Sequence, residues 1–171
     1  FDLNKARRAI MVSPEVADLM SAVQARKSII YGAVNKIGRA SDIIEEEAGT
    51  RLKSIVFCES IEPADQIFSI LKNRQISCSI YHSKLKREER KQMLQDFKDG
   101  RTKCMISCKA LDEGMNVPDA SIAVVIAGSS VSRQMIQRLG RILRASPDKP
   151  VAVLYQIYAK CTKEKEWLLK R

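Results

Sequence analysis

From Ser54 to Ile157 the chain alternates short apolar runs with segments of helical period, and this alternation limits the folds open to it more than any other feature. The runs are "SIVFC" (54–58), "CSIYH" (78–82), "CMIS" (104–107), "IAVVIA" (122–127) and "VAVLYQI" (151–157). They are rich in β-branched residues and apolar on both sides, which fits strands covered on both faces. Between them, amphipathic helices are expected at about 63–73, 86–98 and 131–145. Strand and helix in turn make βαβ units with right-handed crossovers, hence a three-layer α/β domain with a mainly parallel sheet flanked by helices.

Ahead of this region, about Pro14 to Glu47 reads as helix, with Ser13 as N-cap, Pro14 at the first helical position and Glu15 in the first turn. A break near Tyr31 to Val34 splits it, and "AGT" (48–50) ends the second piece. A last helix is expected over about 162–170. The organisation predicted is a helical lead-in, 1–50, packed on a lobe formed by 51–171.

The 171 residues suffice for one core without staples. The five cysteines, 58, 78, 104, 108 and 161, are scattered, mostly in apolar runs, and read as reduced thiols. With one histidine and no CxxC pair, no metal site is expected in this chain. No run is long enough to span a bilayer and no signal-peptide pattern is present, so no membrane partner is expected and an intracellular location is, cytoplasmic or in the nucleoid or nucleus. The chain opens "FDLNKARR" without methionine, which suggests a piece of something longer.

A net charge of +10 favours polyanionic partners. Its distribution is more telling: from Ser121 through Pro147 there are four arginines and no acid. Wound as a helix, Gln137, Arg141 and Arg144 share one face at i, i+4 and i+7, while Val131, Met135, Leu139, Ile142 and Leu143 form the stripe that packs inward. In open sheets ligands sit beyond the carboxyl ends of the strands. Those ends, "ESI" (59–61), "HSKL" (82–85), "CKALDEG" (108–114) and "GSSVSR" (128–133), carry hydroxyls, lysines and backbone donors suited to phosphate oxygens. Yet GxxxxGK[ST] and GxGxxG are both absent, so the chain has no cradle of its own for a nucleotide. Arginines paired on one helical face have the form of a clamp for phosphoryl transfer on a neighbour.

"QRLGRILR" (137–144) resembles motif VI of superfamily 2 helicases, QRxGRxxR; "SCKALDEGMNVPDASIAVVI" (107–126) resembles motif V and its strand, and "KSIVFCES" (53–60) motif IV. The segment between them, 81–107, with its E-R pair and F-x-x-G, is similar to the family's linking segment. The likeness runs from Lys53 to Tyr158 and is closest to the xeroderma pigmentosum group B type.

This resemblance implies the C-terminal RecA-like lobe of a two-lobe motor. ATP with Mg2+ would be held mainly by an N-terminal RecA-like lobe of the same polypeptide. Arg144, as the finger proper, Arg141 and Gln137 would be the catalytic set, with Gly114, Asn116 and Arg138 as the further nucleotide-binding residues. Glu59, Ser60, His82, Ser107, Cys108, Lys109 and Ser129 would contact nucleic acid, DNA in preference to RNA. Two positions depart from the family's pattern: Asn116 stands where an aspartate is usual, and Cys108 where a serine or threonine is usual. By itself the chain should be inactive. The alternative is a module that grips nucleic acid or a protein without a motor cycle.

Overall fold

The computed structural model describes residues 14–50, 52–108, 120–126, 152–162 and 164. The chain divides into two compact units, residues 1–30 and 31–171. Helix α1 spans Pro14–Tyr31. Leu19, Met20 and Ile29 on it are exposed. Ser13, its expected cap, lies outside the described residues.

The second unit holds α2 (Val34–Ala48), β1 (Ser54–Cys58), α3 (Ile61–Asn73), β2 (Cys78–Tyr81), α4 (Arg87–Lys98), β3 (Cys104–Cys108), β4 (Ile122–Val125) and β5 (Val153–Gln156). The described strands form one sheet in the order β2-β3-β1-β4-β5. Every pairing is parallel, as strands apolar on both faces require. The expected helices over 131–145 and 162–170 fall outside the described residues, save Thr162 and Glu164.

Alternation along each strand sends its side chains to two cores. On one face Val56, Cys58, Ile80, Cys104, Ile106, Cys108, Ile122 and Val124 pack under Ile37, Ala40, Ile43 and Ile44 of α2 and Ala64, Ile67 and Leu71 of α3. On the other, Ile55, Phe57, Met105, Ala123 and Val125 meet Phe97 and Leu94 of α4. Each fully buried aliphatic or aromatic side chain contributes about 1.5–3 kcal/mol, so these layers account for the architecture. Phe97 anchors α4: Lys53 Nζ lies 5.4 Å from its ring centroid and donates to the Lys98 carbonyl at 2.9 Å, placing a cation at the helix's negative end.

Helix α3 starts two residues before Pro63, the sequence's marker for that start. Ser60 is extended (φ −134°, ψ 162°), and a proline in the first turn is tolerated because those N–H groups have no helical acceptor. At the far end Gln75 adopts φ 59°, with Gln75 N donating to Lys72 O and Ile76 N to Leu71 O, both at 2.9 Å. This left-handed closure turns the chain into β2.

Candidate functional site

The strand register fixes which residues meet at the carboxyl edge of the sheet. Ser107 lies between Phe57 of β1 and Tyr81 of β2, and Cys58 is level with Cys108. His82, the residue after Tyr81, therefore stands at the level of Cys108 and Cys58, and Glu59 and Ser60 follow immediately. Five residues expected to meet nucleic acid, 59, 60, 82, 107 and 108, are thus gathered at the ends of three adjacent strands.

Their accessibility divides them. Ser107, Cys108 and His82 are buried, whereas Glu59 and Ser60 are half-buried at the rim. Ser107 points to the α4 side of the sheet and Cys108 to the α3 side, as alternation demands. Burial pushes the Cys58 thiol well above its ordinary range, with Cys108, Cys104 and Asp65 adding to the shift, so no thiolate forms there at neutral pH.

His82 Nε2 lies 3.1 Å from Asp65 Oδ1 on α3. A carboxylate can only accept, so Nε2 donates the proton. Nδ1 is buried and has no hydrogen-bond partner among the described residues. Asp65 is not among the residues expected from the sequence. The one available signal was an acid in the second turn of a helix, with no basic residue three or four positions away to pair with it.

Beyond His82 the chain presents Lys84, Lys86, Arg87, Arg90 and Lys91 against two acids, Glu88 and Glu89. Glu89 accepts the Lys86 backbone N–H at 3.0 Å, so it caps α4. None of the five cations pairs with a carboxylate among the described residues, whereas Arg39, Arg74 and Arg101 each bind one or two. The acids offset the segment's charge in number only. All but Arg90 of these cations are exposed, directly after the carboxyl end of β2.

Lys109, Gly114, Asn116, Ser129, Gln137, Arg138, Arg141 and Arg144 lie outside the described residues. Among the described residues no group of three His, Cys, Asp or Glu side chains is placed to hold a metal ion, and no helix is long and apolar enough to cross a membrane.

Residues 35–146 match the family described as helicase conserved C-terminal domain. The chain is similar to the DNA 3'-5' translocase XPB2 of Sulfurisphaera tokodaii, 32% identical over 161 residues, which is 94% of the chain and 35% of that protein. It is also similar to the ATP-dependent RNA helicase DBP5 of Candida glabrata, 34% identical over 71 residues, 42% of the chain and 14% of that protein. Among solved structures, the C-terminal domain of the DEAD-box protein Dbp5 superposes with a TM-score of 0.64 at 24% identity, covering 81% of the chain and 77% of that domain. The chain thus spans about a third or less of the length of these two curated relatives.

Proposed function

The chain belongs to the family of helicase conserved C-terminal domains, and from that premise we propose that it is the second motor lobe of an ATP-dependent superfamily 2 translocase or helicase that moves on DNA. The observation that carries the proposal is the coincidence of the family match, residues 35–146, with an all-parallel sheet whose polar strand ends gather on one edge. The similarity to a protein named as a DNA translocase, 32% identical along nearly the whole chain, favours DNA; the similarity to RNA helicases covers less of the chain or is lower in identity, 34% over 42% of it and 24% over 70%.

ATP with Mg2+, bound mainly by the first lobe, supplies the phosphoryl transfer. The part given to this chain is electrostatic. Arg144 and Arg141 reach toward the γ-phosphate, where charge develops in the transition state, and Gln137 contacts the phosphate or the attacking water. Gly114, Asn116 and Arg138 complete the nucleotide-facing set. Glu59 and Ser60 at the rim, with Lys109 and Ser129, contact the nucleic-acid strand, while His82, Ser107 and Cys108 shape the floor beneath it. Closing of the two lobes on nucleotide, and opening after hydrolysis, then shifts the grip along one strand.

Arg144→Ala in the full-length protein tests the assignment. A finger of this kind is worth roughly 10³ to 10⁵ in rate, so ATP turnover should vanish while DNA binding persists. Unchanged turnover removes the finger assignment. Absence of DNA-stimulated ATPase in the unmutated protein removes the motor itself and favours the non-catalytic binding module.

A further inference from the structure

The pair Lys36 and Glu164 joins α2 to the segment after β5. Lys36 Nζ lies 2.7 Å from Glu164 Oε1, and both side chains are 3% exposed. The second carboxylate oxygen is committed as well: Ala159 N donates to Glu164 Oε2 at 2.7 Å. Around it, Thr162 Oγ1 donates to the Ala159 carbonyl and accepts from Glu164 N. These bonds among Ala159, Thr162 and Glu164 present the carboxylate to the first turn of α2. Further along the same helix, Tyr155 of β5 donates its hydroxyl to Glu47 at 2.9 Å.

An apolar pair of equal volume would hold these elements together at least as firmly, because burying two charges costs about as much as their attraction returns. What the ion pair adds is intolerance of any other arrangement. Were the turn to dock one residue out of place, both charges would be buried without partners. Were residues 157–162 to lift away with Glu164, Lys36 would be left uncompensated, so the start of α2 must open with them.

We propose that residues 157–162 with Glu164 form a charge-locked strap, one that ties the start of α2 to the end of β5 so that the two open only together. The strap is a two-state element: seated, it holds the start of α2 to the end of β5; released, it frees both at once.

Native-state hydrogen exchange on the whole chain, followed as a function of denaturant, tests this. In the unmutated protein the amides of 36–40 and 157–162 should share one opening step with one denaturant dependence. Glu164→Gln, which keeps the volume and removes the charge, should speed exchange in both segments by about tenfold or more while β1 and β3 amides hold their rates. The paired variant Lys36→Met with Glu164→Leu should restore slow exchange but leave the two segments with separate denaturant dependences, since nothing then penalises opening one alone. Faster exchange confined to 157–162 in Glu164→Gln overturns the proposal, as does a common dependence persisting in the paired variant. If Glu164→Gln does not fold, the paired variant alone decides.

Discussion

His82 and Asp65 are joined across the carboxyl edge of the sheet, Nε2 to Oδ1 at 3.1 Å, with the ring 7% exposed and the carboxylate 55% exposed. The bond lets a buried ring at the end of β2 reach a solvated group on α3. Loss of the carboxylate leaves Nε2 of a buried ring unpaired beside Nδ1, which has no partner among the described residues. Asp65→Ala should therefore cost about 1–2 kcal/mol, the penalty of an unmade buried hydrogen bond offset in part by the exposure of its partner. Asp65→Asn keeps an acceptor and should recover most of it. Urea midpoints of the two variants check this, and an unaltered midpoint for Asp65→Ala means that packing alone holds the ring.

Two helices end alike with different residues. Gly100 closes α4 at φ 76°, and its N–H meets the Phe97 carbonyl at 3.2 Å; Gln75 closes α3 at φ 59°. A side chain makes this conformation unfavourable by about 1–2 kcal/mol, and glycine removes most of that. Gln75→Gly should stabilise the chain by about 0.5–1 kcal/mol, and Gly100→Ala should destabilise it by a similar or larger amount. Thermal unfolding of the pair reads both signs, and destabilisation by Gln75→Gly would mean that its side chain contributes more than its backbone costs.

The elements readable in the sequence are those set by local chemistry. "SIVFC" becomes β1 residue for residue, and the break near Tyr31 separates α1 from α2. Where a local signal and its neighbour compete, the boundary moves: Pro63 marks the start of α3 less well than extended Ser60 does, and of the described residues 152–157 only 153–156 are strand. Strand order, with β1 between β3 and β4, is not local and was not read. Nor were Lys36 with Glu164, 128 residues apart, or His82 with Asp65, because no periodicity links residues that only the sheet brings together. The strand-end residues were legible as a group since a parallel sheet puts all its carboxyl ends on one edge; that three of the five are buried follows from packing against α3 and α4.

The thiols give a pH-dependence with a definite sign. Burial raises Cys78 from 9.0 to about 11 and Cys104 from 9.0 to about 12. Between the unfolded value and the folded one, the unfolded chain has lost these protons and the folded chain has kept them. Stability from this source is therefore level below about pH 9 and falls as pH climbs toward 11–12. Cys161 alone is exposed. Alkylation at pH 8 should modify Cys161 and spare 58, 78, 104 and 108 until denaturant is added. Prompt modification of the four would mean that the sheet opens readily.

The cations after β2 supply the last expectation, one that separates phosphate contact from mere surface charge. Lys84 and Lys91 are exposed and unpaired among the described residues, Lys84 two residues past His82 and Lys91 in the second turn of α4. A cation that neutralises a phosphate releases a condensed counterion, so its loss weakens binding most at low salt and flattens the dependence of affinity on salt. In the full-length protein, Lys84→Ala and Lys91→Ala should each reduce the slope of log K against log salt by about 0.7 on single-stranded DNA, or about 0.9 on duplex. Neither should alter sequence preference, since backbone contacts carry none. Fluorescence anisotropy across a salt series measures this. If affinity falls by one factor at every salt concentration, these lysines act on the fold; if nothing changes, the strand passes elsewhere along the edge and Glu59 and Ser60 define its path without them.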